Sequence, residues 1–176
     1  MAGGVITFKS HAAEPLAGHR AFHGQLLERA KEKLGLSDEQ VAKIKADVTA
    51  AANEYMAKFS KEDAKGIAQD VYSHPAFTVR DGNVKATDEA ELAEGYANNI
   101  KKLKAGGWVK SVFLNPKVCV LTTTVALMST QYARYDKDNK VILVGAETDV
   151  FTKTPHGWKL VALFGHGAEG GINCKE

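Results

Sequence analysis

The sequence is short of cysteine, of charge imbalance and of long apolar runs, and each shortage excludes a class of protein. Two cysteines in 176 residues, Cys119 in an apolar run and Cys174 in the tail, make no disulfide framework and fit two free thiols in a reducing compartment. Twenty-three Lys and Arg against 21 Asp and Glu leave a formal charge of +2, with the lysines interspersed among acids, so there is no basic stripe for a nucleic-acid backbone. No stretch approaches the roughly 18 apolar residues of a membrane span. The opening MAGGVITFKS lacks the charged start and long apolar run of a signal peptide. His19 and His23 stand four apart, but no acidic or cysteine partner sits at ligand spacing nearby, so no metal site and no cofactor is expected. These shortages describe a soluble, cytoplasmic protein that binds neither nucleic acid nor membrane.

What is present is a run of amphipathic helices followed by a run of strands. Residues 1–36 read as an irregular arm and a short helix from Phe22 to Leu34, ended by Gly35. Residues 37–170 form the main domain and 171–176 a tail. Ser37 with Gln40 three residues on is a capping box. Val41, Ile44, Val48, Ala52, Tyr55 and Phe59 then recur at helical spacing as one apolar stripe. A second helix is expected to restart at Ser60 and stop before His74-Pro75, where proline removes a donor and His74 marks the end. FTVRDGNVKA reads as two strands joined at Asp81-Gly82. Thr87 or Asp88 caps a third helix whose apolar face is Leu92, Tyr96, Ile100 and Leu103, ended at Gly106-Gly107.

After Trp108 the pattern is that of strands, separated at Asn115-Pro116, near Leu121 to Thr123, at Asp136 to Asn139 and at Pro155 to Gly157. Helices first and strands after imply an α+β fold, with helices laid on one face of a curved antiparallel sheet. Alternation puts Glu147, Asp149 and Phe151 on one face of their strand. It puts Trp158, Leu160, Ala162, Phe164 and His166 together on the next. If the Glu147 face is the core, its carboxylates are buried acids with raised pKa values; if it is solvated, they are surface charges. Tyr55 is either a core aromatic or a hydrogen-bond donor, and Asp81 has a plain reading as a turn residue.

The order of these motifs, with AKGIAQDVY on the second helix, ELAEGY on the third and GWKLVALFGH in the last strand, resembles the nuclear transport factor two-like superfamily. Within it, the likeness is to the ketosteroid isomerase and SnoaL-like polyketide cyclase branch, over about residues 38–168. The resemblance implies a cone, a bent sheet wrapped around three helices and enclosing an apolar cavity. It also implies chemistry that needs no cofactor, proton abstraction next to a carbonyl. By position, Tyr55 and Asp149 match the oxyanion donors, Asp81 the base, and Tyr72 and Tyr96 the tyrosines that hydrogen-bond to the first. His166 is a second candidate base. Glu147, Phe59, Phe151 and Phe164 complete the expected lining. The implied ligand is a small, mostly apolar molecule bearing a carbonyl, and the outer sheet face, apolar as well, is expected to form a homodimer. The same fold also serves as a non-catalytic ligand-binding or dimerisation module.

Overall fold

The computed structural model describes residues 35–172. The expected arm, the short helix from Phe22 to Leu34, the histidines His19 and His23, and Cys174 lie outside them. Helix α1 spans Asp38–Ser60 and opens on the Ser37 capping box, in which Ser37 and Gln40 each accept from the other's backbone N–H. Its stripe of Ile44, Val48, Ala52, Tyr55 and Phe59 is buried. Helix α2 is only Ala64–Gly66, continuing as a wider π-type turn over Ile67–Val71. Its cap is Asp63, which accepts from the Gly66 N–H at 2.8 Å, so Ser60 closes α1 instead of opening α2. Strand β1, Tyr72–Arg80, begins before Pro75, because the wide turn has already ended the helical path.

Strand β2, Asn83–Thr87, follows through an Asp81-Gly82 turn in which both residues have positive φ, 51° and 77°. That pair of conformations matches the twist of a hairpin. Asp88, not Thr87, caps helix α3, Glu89–Ala105. Thr87 is buried and donates to the Ala76 carbonyl. The helix ends as expected, with Gly107 at φ 85° and the Trp108 N–H returning to the Leu103 carbonyl.

Strands β3 (Lys110–Val120), β4 (Val125–Tyr135), β5 (Val141–Thr154) and β6 (Gly157–His166) complete a six-stranded sheet ordered β2-β1-β6-β5-β4-β3. Asn115-Pro116 is no turn: it is an irregularity inside β3, where the register with β4 shifts between Leu114 and Lys117. The sheet is also mixed, since β1 runs parallel to β6. Hairpins force antiparallel neighbours. β1 and β6 are not hairpin neighbours; α3 and other strands separate them in sequence, and that long connection permits the parallel pairing.

One more irregularity changes the face of half a strand. Val150 pairs with Ala162 but Phe151 pairs with Leu160, leaving Val161 as an extra residue. A one-residue slip exchanges the two faces of everything beyond it. Trp158 and Leu160 therefore face the helices together with Leu163 and Gly165, whereas Ala162, Phe164 and His166 turn to the outer face. The helices pack on the inner face, where Val48, Ile67, Met128, Phe151 and Leu160 are almost wholly buried.

Cys119 lies between Val118 and Val120 near the end of β3 and is disulfide-bonded. This corrects the expectation of two free thiols and removes its support for a reducing compartment. None of the described helices is long and apolar enough to cross a membrane.

Candidate functional site

Three tyrosines from three elements meet through their hydroxyls beneath the sheet. The Tyr72 and Tyr96 oxygens are 2.7 Å apart, and Tyr96 donates to Tyr55 at 3.3 Å. Each hydroxyl has one proton to give. With Tyr72 donating to Tyr96 and Tyr96 to Tyr55, the Tyr55 proton is left for a further acceptor. Burial raises the pKa of all three well above the ordinary tyrosine value, so they act as neutral donors. Phe59 and Phe113 hold the Tyr55 ring at centroid distances of 6.0 and 6.2 Å, and Tyr96 meets it edge-on at 6.0 Å.

Opposite them, β5 carries Glu147 and Asp149 on its inner face, 5% and 1% exposed. This decides the alternative left open by alternation: the face is core. Asp149 has no hydrogen-bond partner for either oxygen, and neither does Oε1 of Glu147. Burial is the first cause of a Glu147 pKa raised to about 7, which the nearby Arg80 and Arg134 charges pull back down. For Asp149 burial acts first and the Glu147 charge second, and both push its pKa well above the carboxylate range. Burial thus favours the protonated form of Asp149, and Glu147 sits near its own midpoint at neutral pH.

A cavity of about 290 Å³ opens between α3, the β1-β2 hairpin and the inner sheet face, bordered among others by Tyr55, Tyr96, Glu147, Arg80, Arg134 and Leu163. It lies at the low end of the range for small-molecule sites. A larger hollow of about 410 Å³ lies elsewhere, beside Ser129, Gln131 and Gly170–Ile172. It contains neither the tyrosines nor the buried acids, whereas the smaller cavity is bordered by Tyr55, Tyr96 and Glu147. Among the described residues no cluster of His, Cys, Asp and Glu could hold a metal ion.

The structure brings together Tyr55, Tyr72, Tyr96, Phe59, Glu147, Asp149 and Phe151 on the inner side, with Asp149 and Phe151 packed behind the cavity wall instead of bordering it. It separates three other candidates. His166 lies on the outer face, its Nε2 3.0 Å from the Thr148 hydroxyl and its Nδ1 2.9 Å from the Gly167 carbonyl. Phe164 shares that face and is 38% exposed. The Val161 bulge is the reason for both. Asp81 is exposed in the hairpin turn with φ 51°, in keeping with its plain reading as a turn residue.

Arg80 and Arg134 were not anticipated from the sequence. Arg80 ends β1 and lies over Gly165, where a Cβ would come 2.9 Å from its Nε. Arg134 stands on the same face of β4 as Tyr132, its guanidinium 5.2 Å from that ring's centroid and 5.8 Å from that of Phe59. The signal available was position: Arg134 continues the inward alternation of Met128, Thr130 and Tyr132 across from Glu147's strand.

Beside this six-stranded mixed sheet and its three helices, the family model described as NTF2-like protein (DUF6841) matches residues 45–168 of the chain. The chain belongs to this NTF2-like family. The sequence has no match among curated proteins. Several solved structures have a similar fold. An NTF2-like protein with a cystatin-like fold from Novosphingobium aromaticivorans has a TM-score of 0.62 at 16% identity, over 74% of this chain and 85% of that one. A nuclear transport factor 2-like superfamily protein from Salmonella enterica has a TM-score of 0.55 at 18% identity, over 74% and 99%. A Streptomyces avermitilis member, provisionally described as a dehydratase, has a TM-score of 0.55 at 16% identity, over 71% and 96%. At these identities the likeness is one of fold alone.

Proposed function

We propose that this NTF2-like protein is an enzyme of the ketosteroid isomerase-like and SnoaL-like kind, which moves a proton at a carbon next to a carbonyl without a cofactor. The observation that carries the reading is Glu147, a carboxylate with a pKa near 7 bordering the same cavity as the Tyr55 hydroxyl. A general base works best when its pKa lies near the operating pH. Tyr55, held by Tyr96, donates to the substrate carbonyl and stabilises the enolate as charge develops on oxygen. Glu147 takes the neighbouring proton and returns it at the product carbon, or delivers it to a leaving hydroxyl in a dehydration. Burial behind the wall favours the protonated form of Asp149, which adds no second negative charge beside Glu147. Its position at the cavity supports Glu147 as the base in preference to Asp81 and His166, which do not border that cavity. The likeness to the provisional dehydratase is consistent with the same chemistry.

The test needs no knowledge of the product. Small ketones and keto acids are incubated in D2O with the protein, and loss of the α-proton signal is followed by NMR. Accelerated exchange is the expected result, and Tyr55→Phe should slow it by about 100-fold, the lower end of the usual range for loss of one oxyanion donor. A panel in which no compound exchanges faster than with buffer alone would remove the reading.

A homodimer through the outer sheet face accompanies this proposal. Phe77, Phe164 and Val144 lie on that face and are 37%, 38% and 50% exposed, more apolar surface than a β-sheet usually shows to water. Sedimentation velocity should give a dimer that Phe164→Glu converts to a monomer. A monomeric wild-type protein at micromolar concentration would sink the dimer without touching the chemistry.

A further inference from the structure

The proton-transfer reading leaves two arginines without a task. Arg134 lies with its guanidinium over Phe59 and Tyr132, its Nε buried and without a hydrogen-bond partner. Arg80 spreads over Gly165 at the cavity mouth. Both act on Glu147 through space, yet among the described residues neither closes an ion pair or a hydrogen bond. The buried Nε of Arg134 is a donor that would normally be paired, whereas Arg80 is exposed and brings its charge to the cavity rim; the unpaired Arg134 marks a site held open.

Charge says what would fill it. The cavity is bordered by three cations, Arg80, Lys85 and Arg134, and by two acids, Glu91 and Glu147. One positive charge is therefore left over with both acids ionised, and two with Glu147 protonated. A monoanion balances the first state. A phosphate monoester, with nearly two negative charges, would exceed it. Guanidinium donors form a planar fork matched to carboxylate oxygens, and the aromatic rings fix the plane of the Arg134 fork in advance.

We propose that the cavity selects small molecules that carry a carboxylate beside the reacting carbonyl, and that Arg134 and Arg80 bind that carboxylate. This rests on the proton-transfer reading for the carbonyl but not for the anion. With the carboxylate on the arginines, the carbonyl oxygen is left for the Tyr55 hydroxyl and the adjacent carbon for Glu147. The wall residues Leu92 and Leu163 cover the apolar remainder.

The test compares 3-phenylpropanoate with 3-phenylpropanamide, which have nearly the same shape and differ in charge. Affinities are measured by isothermal titration calorimetry for the wild type, Arg80→Gln and Arg134→Lys. The wild type should bind the carboxylate at least about tenfold more tightly than the amide, in line with the strength of charge-assisted hydrogen bonds. That preference should shrink to about threefold or less in at least one of the two variants, as expected for loss of a charge-assisted pair. The ratio is read within each variant, so a general loss of binding cancels, and Arg134→Lys keeps the charge while losing the fork. A wild type that prefers the amide, binds both equally or binds no carboxylate at millimolar concentration overturns the proposal, as does a preference that survives in both variants. The two readings fail separately. Rapid exchange of neutral ketones without carboxylate preference leaves proton transfer standing, and carboxylate binding without exchange leaves only the anion site.

Discussion

Glu147→Gln is expected to slow α-proton exchange by at least about 100-fold, because a positioned general base typically contributes about 10² to 10⁴. The substitution keeps the size and polarity of the side chain and removes its proton affinity. Binding of the inert amide should change little, which separates lost chemistry from a lost cavity. The wild-type rate carries a second signature. Glu147 must be ionised to act, and its pKa is raised to about 7 by burial. The rate of exchange should thus rise with pH through about 7 and then level. In Glu147→Gln the residual rate should lose that inflection. A wild-type profile flat from about pH 5 to 8, or a variant retaining most of the rate, would assign the proton to another group.

Asp149→Asn is expected to stabilise the protein in mildly alkaline solution and to flatten the dependence of stability on pH. Both buried acids have folded-state pKa values above their unfolded ones, Asp149 by burial and the Glu147 charge, and Glu147 by burial. The folded state holds their protons more tightly than the unfolded chain does, so stability is full below the unfolded carboxylate values and falls as pH rises through the interval up to the folded values. For Glu147 that window runs from about 4.5 to about 7. A tenfold difference in proton affinity between the folded and unfolded states corresponds to about 1.4 kcal/mol, so the pair should lose at least about 2 kcal/mol between roughly pH 5 and 8. Asparagine at 149 cannot ionise, so the share of the pH dependence that Asp149 carries disappears. The Tm of the wild type should fall by several degrees across that range and that of Asp149→Asn by less, while the inflection of its exchange rate stays near 7, since burial and not Asp149 raises the Glu147 pKa. A wild-type Tm that rises with pH across the window would show that neither acid is buried unpaired.

Both oxygens of Asp149 and Oε1 of Glu147 lie buried without partners, the arrangement that the proposed proton transfer requires. Unpaired buried oxygens cost stability, whereas the buried Ser111 and Thr130 elsewhere on the inner face are hydrogen-bonded. The stabilising effect expected of Asp149→Asn and the loss expected of Glu147→Gln are two faces of the same arrangement.

Much of this was legible in the sequence. Helix periodicity placed Tyr55 and Phe59 inward, the capping boxes at Ser37 and Asp88 opened their helices, and the Asp-Gly pair made its hairpin, because caps, stripes and tight turns depend on neighbours a few residues away. Strict alternation put Glu147, Asp149 and Phe151 on a common face, and the resemblance carried by the order of motifs led to the NTF2-like fold. Tertiary structure alone decided the rest. The Val161 bulge is set by what β5 and β6 must pack against, and it took His166 and Phe164 away from the cavity on which alternation had placed them. The parallel partnership of β1 and β6 brought Arg80 over Gly165, and the curvature of the sheet brought Arg134 to Phe59. Those contacts join residues tens of positions apart, and no local spacing encodes them. The sequence by itself determined which elements form and which way most of their side chains point; only the folded sheet decided which charges share one cavity, because pairing register and curvature are properties of the whole core.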